Sequence, residues 1–263
     1  MRATMRTLRR GRSLLLGAFA CLLLPATAGA APTVTLKALP LPILGHPGTG
    51  YILGHGAALQ AEYRISGHEY GGFPPPLIGV TFFLPAGTQL HPEAFPTCPK
   101  ATLEPQGKGA KACPKASLAG TGTATGVVAF GNSIVPETTT ISAFFAPGGG
   151  LEFFTFGHEP VLLEIISTGR YVSYNREGFG QELVSQIPLV ETVPGAQDAS
   201  VQSINITVGT VTKKKGKTVY YGVLPKHCPA QGFTVRSELT FAGLAGLAQT
   251  TVPVTYKAPC PRR

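Results

Sequence analysis

Hydrophobic and polar residues alternate along several stretches of the chain. Leu59, Ala61, Tyr63 and Ile65 lie on one side of the stretch 59–66, and polar residues lie between them. The same two-residue period recurs in three further stretches, 203–208, 233–241 and 251–257. A period of two is typical of a β-strand with one buried and one solvated face, as in antiparallel sheets. These stretches are therefore predicted to be antiparallel strands.

Other stretches are apolar on both faces, which predicts strands covered on both sides or strands beneath a long loop. These are 78–84, 151–156 and 161–166, and further strands are predicted at 123–130, 138–145, 170–174 and 218–224. No convincing amphipathic helix follows residue 30, and 241–248 fits either a helical turn or a hairpin tip. About ten short strands separated by turn residues predict an all-β fold, an antiparallel β-sandwich stapled by disulfides.

The first thirty residues have the organisation of an export signal. Five arginines precede a short apolar run, 13–24, and Ala28-Gly29-Ala30 follows as a small-x-small cleavage site. The run is shorter than the roughly 20 residues of a membrane span. We expect a Sec-type signal peptide (1–30) cleaved after Ala30, a secreted or extracellular protein, and no transmembrane segment after cleavage. Residues 31–263 are expected to form a single β-sandwich domain, with two packed β subdomains as the alternative.

Signal removal changes the charge of the chain. Without the five arginines of 1–30, 17 basic residues stand against 13 acidic ones, a net charge of +4 in place of +9. Nucleic acid is therefore not an expected partner. Lys213, Lys214, Lys215 and Lys217 form a basic run that predicts contact with a polyanion such as an anionic cell-wall polymer. The alternative for this run is a solvated hairpin tip, and another surface protein is the alternative partner.

The four cysteines that follow the signal are each followed by proline, and their even number predicts two disulfides in an oxidising compartment. Four cysteines allow three pairings. Cys98–Cys113 would enclose a polar loop, and Cys228–Cys260 would bracket the last hairpin, so proximity predicts these two bridges. No CxxC motif and no zinc-ligand spacing is present.

The cysteine-proline motifs also carry a resemblance. Phe95-Pro96-Thr97-Cys98-Pro99, Cys113-Pro114-Lys115-Ala116-Ser117 and the tail from Leu224-Pro225-Lys226-His227-Cys228-Pro229 to Ala258-Pro259-Cys260-Pro261 resemble a set of exported, uncharacterised actinobacterial proteins. The resemblance implies a secreted all-β protein and supplies no catalytic residues.

The remaining polar residues offer little recognisable chemistry. Asp198 is the single aspartate, and HExxH, GxSxG and P-loop motifs are absent, so no catalytic residue, metal or cofactor is predicted. Two Gly-His-Glu triplets supply a candidate polar site at His68, Glu69, His158 and Glu159, with exposed turns as the alternative. One triplet cannot aim both groups at one point on a strand, so the two triplets would have to meet in space.

Two functions follow from these features. The leading hypothesis is an exported, non-catalytic protein of the cell envelope or extracellular space, either structural or binding a surface polymer. The alternative is an extracellular hydrolase that uses His68, Glu69, Glu152, His158 or Glu159. Glu152 and Glu164, in apolar runs, are the better candidates for a carboxylate pair of the glycosidase type.

Overall fold

The computed structural model describes residues 31–104, 109–244 and 246–261. The predicted signal peptide and its cleavage site at Ala30 lie outside these residues. Within the described part of the chain, none of the helices is long and apolar enough to span a membrane.

Strands dominate the structure. The eleven strands of the main sheet are β1 (Thr33–Leu41), β2 (Ala58–Ser66), β3 (Leu77–Pro85), β5 (Leu118–Phe130), β6 (Ser133–Phe145), β7 (Leu151–Gly157), β8 (Leu163–Arg176), β9 (Phe179–Gln186), β10 (Ser200–Val208), β14 (Phe233–Phe241) and β15 (Thr250–Ala258). Two small ribbons pair β11 (Val211–Lys214) with β12 (Lys217–Tyr220) and β4 (Gln89–Leu90) with β13 (Gly222–Val223). The helices are the four-residue α1 (Lys100–Leu103) and short 3₁₀ turns at Pro92–Ala94, Ala110–Ala112 and Lys115–Ser117.

The main sheet is antiparallel throughout its hydrogen-bonded ladder, in the order β1-β2-β10-β5-β6-β7-β8-β9-β3-β14-β15. Its first and last strands, β1 and β15, lie close to each other, so the sheet rolls over on itself. The hydroxyl groups of Tyr63 on β2 and Ser237 on β14 are 3.0 Å apart across the interior. The predicted all-β antiparallel sandwich is confirmed, in the form of one sheet whose two halves face each other.

The inner face carries the residues that the alternation assigned to it. Ala61, Tyr63 and Ile65 are buried on β2, and Phe233, Val235, Leu239 and Phe241 are buried on β14, in one hydrophobic cluster. Leu239 is fully buried. Burial of such side chains stabilises a fold by about 1.5–3 kcal/mol each, so the inner face is the main source of stability.

Two prolines within strands lie where a missing N–H is tolerated. Pro40 is on β1 and Pro253 is on β15, the two ends of the hydrogen-bonded ladder. Proline cannot donate to a neighbouring strand, so it is favoured on edge strands.

The outer face of β6, β7 and β8 lies beneath the segment that contains α1. Leu103 and the Cys98–Cys113 bridge pack against Phe144, Phe154 and Phe156 in a second apolar cluster. This cover explains why 151–156 and part of 161–166 are apolar on both faces. The predicted pairing of the cysteines is confirmed, since Cys98 is bonded to Cys113 and Cys228 to Cys260.

The two ends of the rolled sheet differ in length of loop and in charge. One end, the lysine end, is built from the connections 42–57, 86–104, 109–117, 146–150, 177–178 and 209–232. The opposite acidic end consists of 67–76, 131–132, 158–162, 187–199, 242–244 and 246–249. Stacked Phe95 and Phe145, with Tyr221 edge-on to both, fill the interior at the lysine end.

Candidate functional site

The interior of the rolled sheet contains a cavity of about 280 Å³. Its lining is mainly apolar and comes from most strands of the sheet, with Ala61, Phe82, Ile141, Phe153 and Ile206 as examples. Binding pockets for small molecules are typically 300–1,000 Å³ and mostly apolar, with a few polar groups. The cavity is therefore near the lower end of the size range for a small-molecule site.

Most polar groups of the lining have partners inside the protein. The hydroxyls of Tyr171 and Tyr221 are hydrogen-bonded to each other, and Thr139 Oγ1 donates to the carbonyl oxygen of Ala124 at 3.3 Å. Burial raises the pKa of Tyr171 to about 12, so this pair stays protonated at physiological pH. The tyrosines therefore serve the internal hydrogen-bond network of the lysine end.

Glu137 is the charged residue in the described lining of this cavity. It lies on β6 and is 3% exposed. Its Oε2 accepts a hydrogen bond from the backbone N–H of Val161 at 3.2 Å, whereas Oε1 has no partner among the described residues. A Cβ built on Gly157 would lie 2.7 Å from Oε1, so glycine leaves the room that the carboxylate occupies.

Sequence reasoning missed Glu137. The predicted strand began at 138, whereas β6 begins at Ser133 and includes Pro136. Extending the inward alternation of Ile141 and Thr139 by two residues reaches Glu137, so the signal was present but was interrupted by the proline.

The four lysines of the basic run occupy the β11–β12 hairpin, which we call the lysine hairpin (Val211–Tyr220). Lys215 and Gly216 form its two-residue turn, both with positive φ, and Lys214 is directly opposite Lys217. Lys213, Lys214, Lys215 and Lys217 are all exposed. None of them takes part in an ion pair within the described ranges, and Lys214 Nζ reaches only the carbonyl oxygen of Glu93, at 3.4 Å.

Further lysines lie at the same end of the sheet. Lys100, Lys111 and Lys115 belong to the segment around the first disulfide, and Lys226 precedes the second. The acidic residues of these connections are Glu93, Glu104 and Glu177. The lysine end is thus predominantly cationic, and the lysine hairpin carries four of its exposed lysines.

The acidic end has the opposite composition. Its loops contain Glu69, Glu159, Glu191 and Asp198, and their sequences include neither lysine nor arginine. Burial raises the pKa of Asp198, and the negative charge of Glu191 raises it further. The negative charge of Glu191 therefore disfavours ionisation of Asp198, and the sequences of these loops supply no lysine or arginine to offset it.

Both Gly-His-Glu triplets lie at the acidic end, but they occupy different loops. His68 is exposed, with Nδ1 at 3.1 Å from the carbonyl oxygen of Gly72, and Glu69 is half-buried. His158 and Glu159 are strongly exposed and face each other at 3.8 Å. No hydrogen bond or ion pair between the triplets occurs in the described part of the chain. In the second triplet, Gly157 is the residue next to the interior site, because it lies beside the carboxylate of Glu137.

Glu152 and Glu164, the candidates for a carboxylate pair, lie on the outer face of the sheet. Glu152 is 5% exposed beneath the α1 segment and accepts a hydrogen bond from Thr168 Oγ1 at 2.9 Å. Burial raises its pKa, and the Thr168 hydroxyl partly offsets this effect. Thr168 and Glu164 are four residues apart on β8, about 13 Å along the strand. That spacing exceeds the separation of glycosidase carboxylates.

Comparisons with protein-family models, with curated proteins and with solved structures gave no match to this chain. Among the described residues, no group of three or more histidine, cysteine, aspartate or glutamate side chains is arranged to hold a metal ion.

Proposed function

We propose that the chain is an exported, non-catalytic β-sandwich protein of the cell envelope or extracellular space that binds an anionic, phosphate-bearing wall polymer through its lysine end. The observation that carries this proposal is the lysine hairpin, whose four exposed lysines lie at the end of the sheet that holds most other lysines of the loops.

Two features of the lysine hairpin cost stability, which supports a role for its lysines in binding and not in folding. Like charges directly opposite each other destabilise an antiparallel pair, and Lys214 is opposite Lys217. Lys215 adopts a φ of 51°, a left-handed conformation that costs roughly 1–2 kcal/mol for residues other than glycine, asparagine and aspartate. Residues that break local rules are expected at functional sites. A bound polyanion would offset the repulsion between these lysines.

Export is supported by the predicted signal at 1–30 and by the two disulfides, which persist in oxidising compartments. The hydrolase alternative receives less support from the geometry, because its histidine and glutamate candidates lie in separate loops or on the outer face.

Binding to polyphosphate and to a poly(glycerol phosphate) chain tests the proposal. The test variant replaces Lys213, Lys214, Lys215 and Lys217 with glutamine. The control variant removes the same charge from the outer faces of strands, by replacing Lys37, Arg64, Arg170 and Lys257 with glutamine. Each phosphate that a lysine neutralises contributes roughly 0.7 to the slope of log affinity against log salt for a single-stranded polyanion. We expect the test variant to lower that slope by about 3 and the control to lower it much less.

Equal losses in the two variants would contradict the proposal, because they would show that net charge alone governs binding. Tighter binding to a single-stranded oligonucleotide than to either phosphate polymer would contradict the assignment of a wall polymer. Hydrolysis of glycan, ester or peptide substrates that is abolished by His158→Ala would favour the hydrolase.

A further inference from the structure

Apart from Glu137, the described lining of the interior cavity is uncharged. Its lining is largely aliphatic and aromatic, with hydroxyl groups such as those of Thr155 and Ser167, and no lysine, arginine or histidine lines it within the described ranges. An apolar cavity of this kind favours an apolar ligand, since removing apolar surface from water is favourable and non-directional. The single carboxylate of Glu137 then decides which polar group such a ligand can carry.

Only one oxygen of the Glu137 carboxylate has a structural role. Oε2 holds the loop 158–162 through the N–H of Val161, whereas Oε1 is buried without a partner. A buried carboxylate oxygen without a hydrogen bond is costly, and an unpaired buried charge is more costly still. A positively charged donor beside Oε1 would remove this cost, whereas a second carboxylate would increase it.

The loops near Glu137 also favour a positively charged ligand. Glu137 lies near the acidic end, whose loops contain Glu69, Glu159, Glu191 and Asp198 without lysine or arginine. Such loops attract cations and repel anions during approach. Large apolar side chains are exposed beside them, including Phe130, Ile134, Leu162 and Leu189. A ligand approaching this end therefore meets both negative charge and apolar surface.

We propose that the interior of the rolled sheet binds an elongated apolar molecule with one protonated amine, whose ammonium group pairs with Glu137 Oε1. Glu137 is near the opposite end of the sheet from the lysine hairpin, so the proposed ammonium contact does not depend on polymer binding at that hairpin.

Three probes of equal chain length test the head-group preference, namely decylamine, decanol and decanoate below their micelle concentrations. Calorimetric titration of the disulfide-bonded protein, residues 31–263, is expected to give the tightest binding for decylamine and the weakest for decanoate. A hydrogen bond to a charged group contributes enough for roughly a 10- to 100-fold preference. Equal affinity for all three probes, or a preference for decanoate, would overturn the proposal without any variant.

Glu137→Gln keeps the size of the side chain and an oxygen for the N–H of Val161. It is expected to weaken decylamine binding about tenfold or more while leaving decanol binding within about twofold. Glu164→Gln removes one exposed carboxylate from the outer face of β8 and serves as the matched control, with decylamine affinity nearly unchanged. If Glu137→Gln failed to fold, the head-group series on the unmodified protein would still decide the question. Decylamine binding that is insensitive to Glu137→Gln would refute the assigned contact.

Discussion

The two disulfides are expected to contribute unequally to stability, in the order opposite to the lengths of the loops they close. Cys98–Cys113 spans 15 residues and Cys228–Cys260 spans 32. In the chain-entropy model these loops contribute about 3.0 and about 3.7 kcal/mol respectively. Loop length alone therefore makes the second bridge the more stabilising one.

Burial reverses this order. Cys98 is fully buried and Cys113 is 8% exposed, whereas Cys228 and Cys260 are half-buried. Replacing the first pair by alanine leaves unfilled space beneath the α1 segment, against Phe144 and Phe154. Removal of a buried group the size of a methyl costs about 0.5–1.5 kcal/mol, so two sulfur atoms add about 2 kcal/mol. The totals are about 5 kcal/mol for the first bridge and about 4 kcal/mol for the second.

Equilibrium unfolding in urea measures both values. The chain contains no tryptophan and eight tyrosines, so tyrosine fluorescence and far-ultraviolet circular dichroism are suitable probes. Cys98→Ala/Cys113→Ala is expected to lower the free energy of unfolding by about 1 kcal/mol more than Cys228→Ala/Cys260→Ala. A larger loss for the second pair, by the about 0.7 kcal/mol that loop length alone gives, would refute the reasoning that the α1 segment packs tightly on the sheet.

Three further predictions concern single positions. Burial raises the pKa of Glu152 above its ordinary value of 4.5, so ionisation of Glu152 costs stability as pH rises through the folded-state pKa. Over that rise Glu152→Gln should gain stability relative to the unmodified protein, whereas the exposed Glu164→Gln should not. Urea titrations at several pH values measure both variants. Gly157→Ala should cost about 1–3 kcal/mol because its Cβ would approach Glu137 Oε1, whereas Gly48→Ala, which meets nothing within 4 Å, should be nearly neutral in thermal unfolding. N-terminal sequencing of the exported protein should begin at Ala31, and recovery of Met1 in a soluble cytoplasmic form would contradict export.

Much of the fold could be predicted from the sequence, because one buried face imposes a period of two. The inward sets of β2, β10, β14 and β15 follow directly from alternation. Local disulfide pairing was also predictable, since each bridge closes a short segment around a loop or a hairpin.

Other strands were not predicted. β1 was missed although Val34, Leu36 and Ala38 alternate with polar residues, because Pro40 and the glycines and prolines that follow it resemble a loop. β9 (Phe179–Gln186) has polar and apolar residues without a clear period, and it is held by β8 and β3 on its two sides. The insertion of β10 between β2 and β5 depends on contacts between distant parts of the chain, which periodicity does not encode.

The two candidate sites also differ in how far the sequence could reveal them. The lysine hairpin could be found because its residues are consecutive in sequence and its turn contains glycine. The alternation along β6 reaches Glu137 across Pro136, but the role of its carboxylate could not be predicted, because the groups around it come from Gly157 and Val161 in another part of the chain. The Gly-His-Glu triplets at His68 and His158 show that a motif repeated in the sequence does not have to form one shared site in the structure.

An amide chemical-shift map of the isotope-labelled protein during titration with polyphosphate tests most directly whether the lysine end is the polymer-binding face. We expect changes at Lys213, Lys214, Lys215 and Lys217 and in the neighbouring segment around Lys100 and Lys111, with the loops of the acidic end unchanged. Shifts spread evenly over the surface, or concentrated at the acidic end, would contradict this assignment.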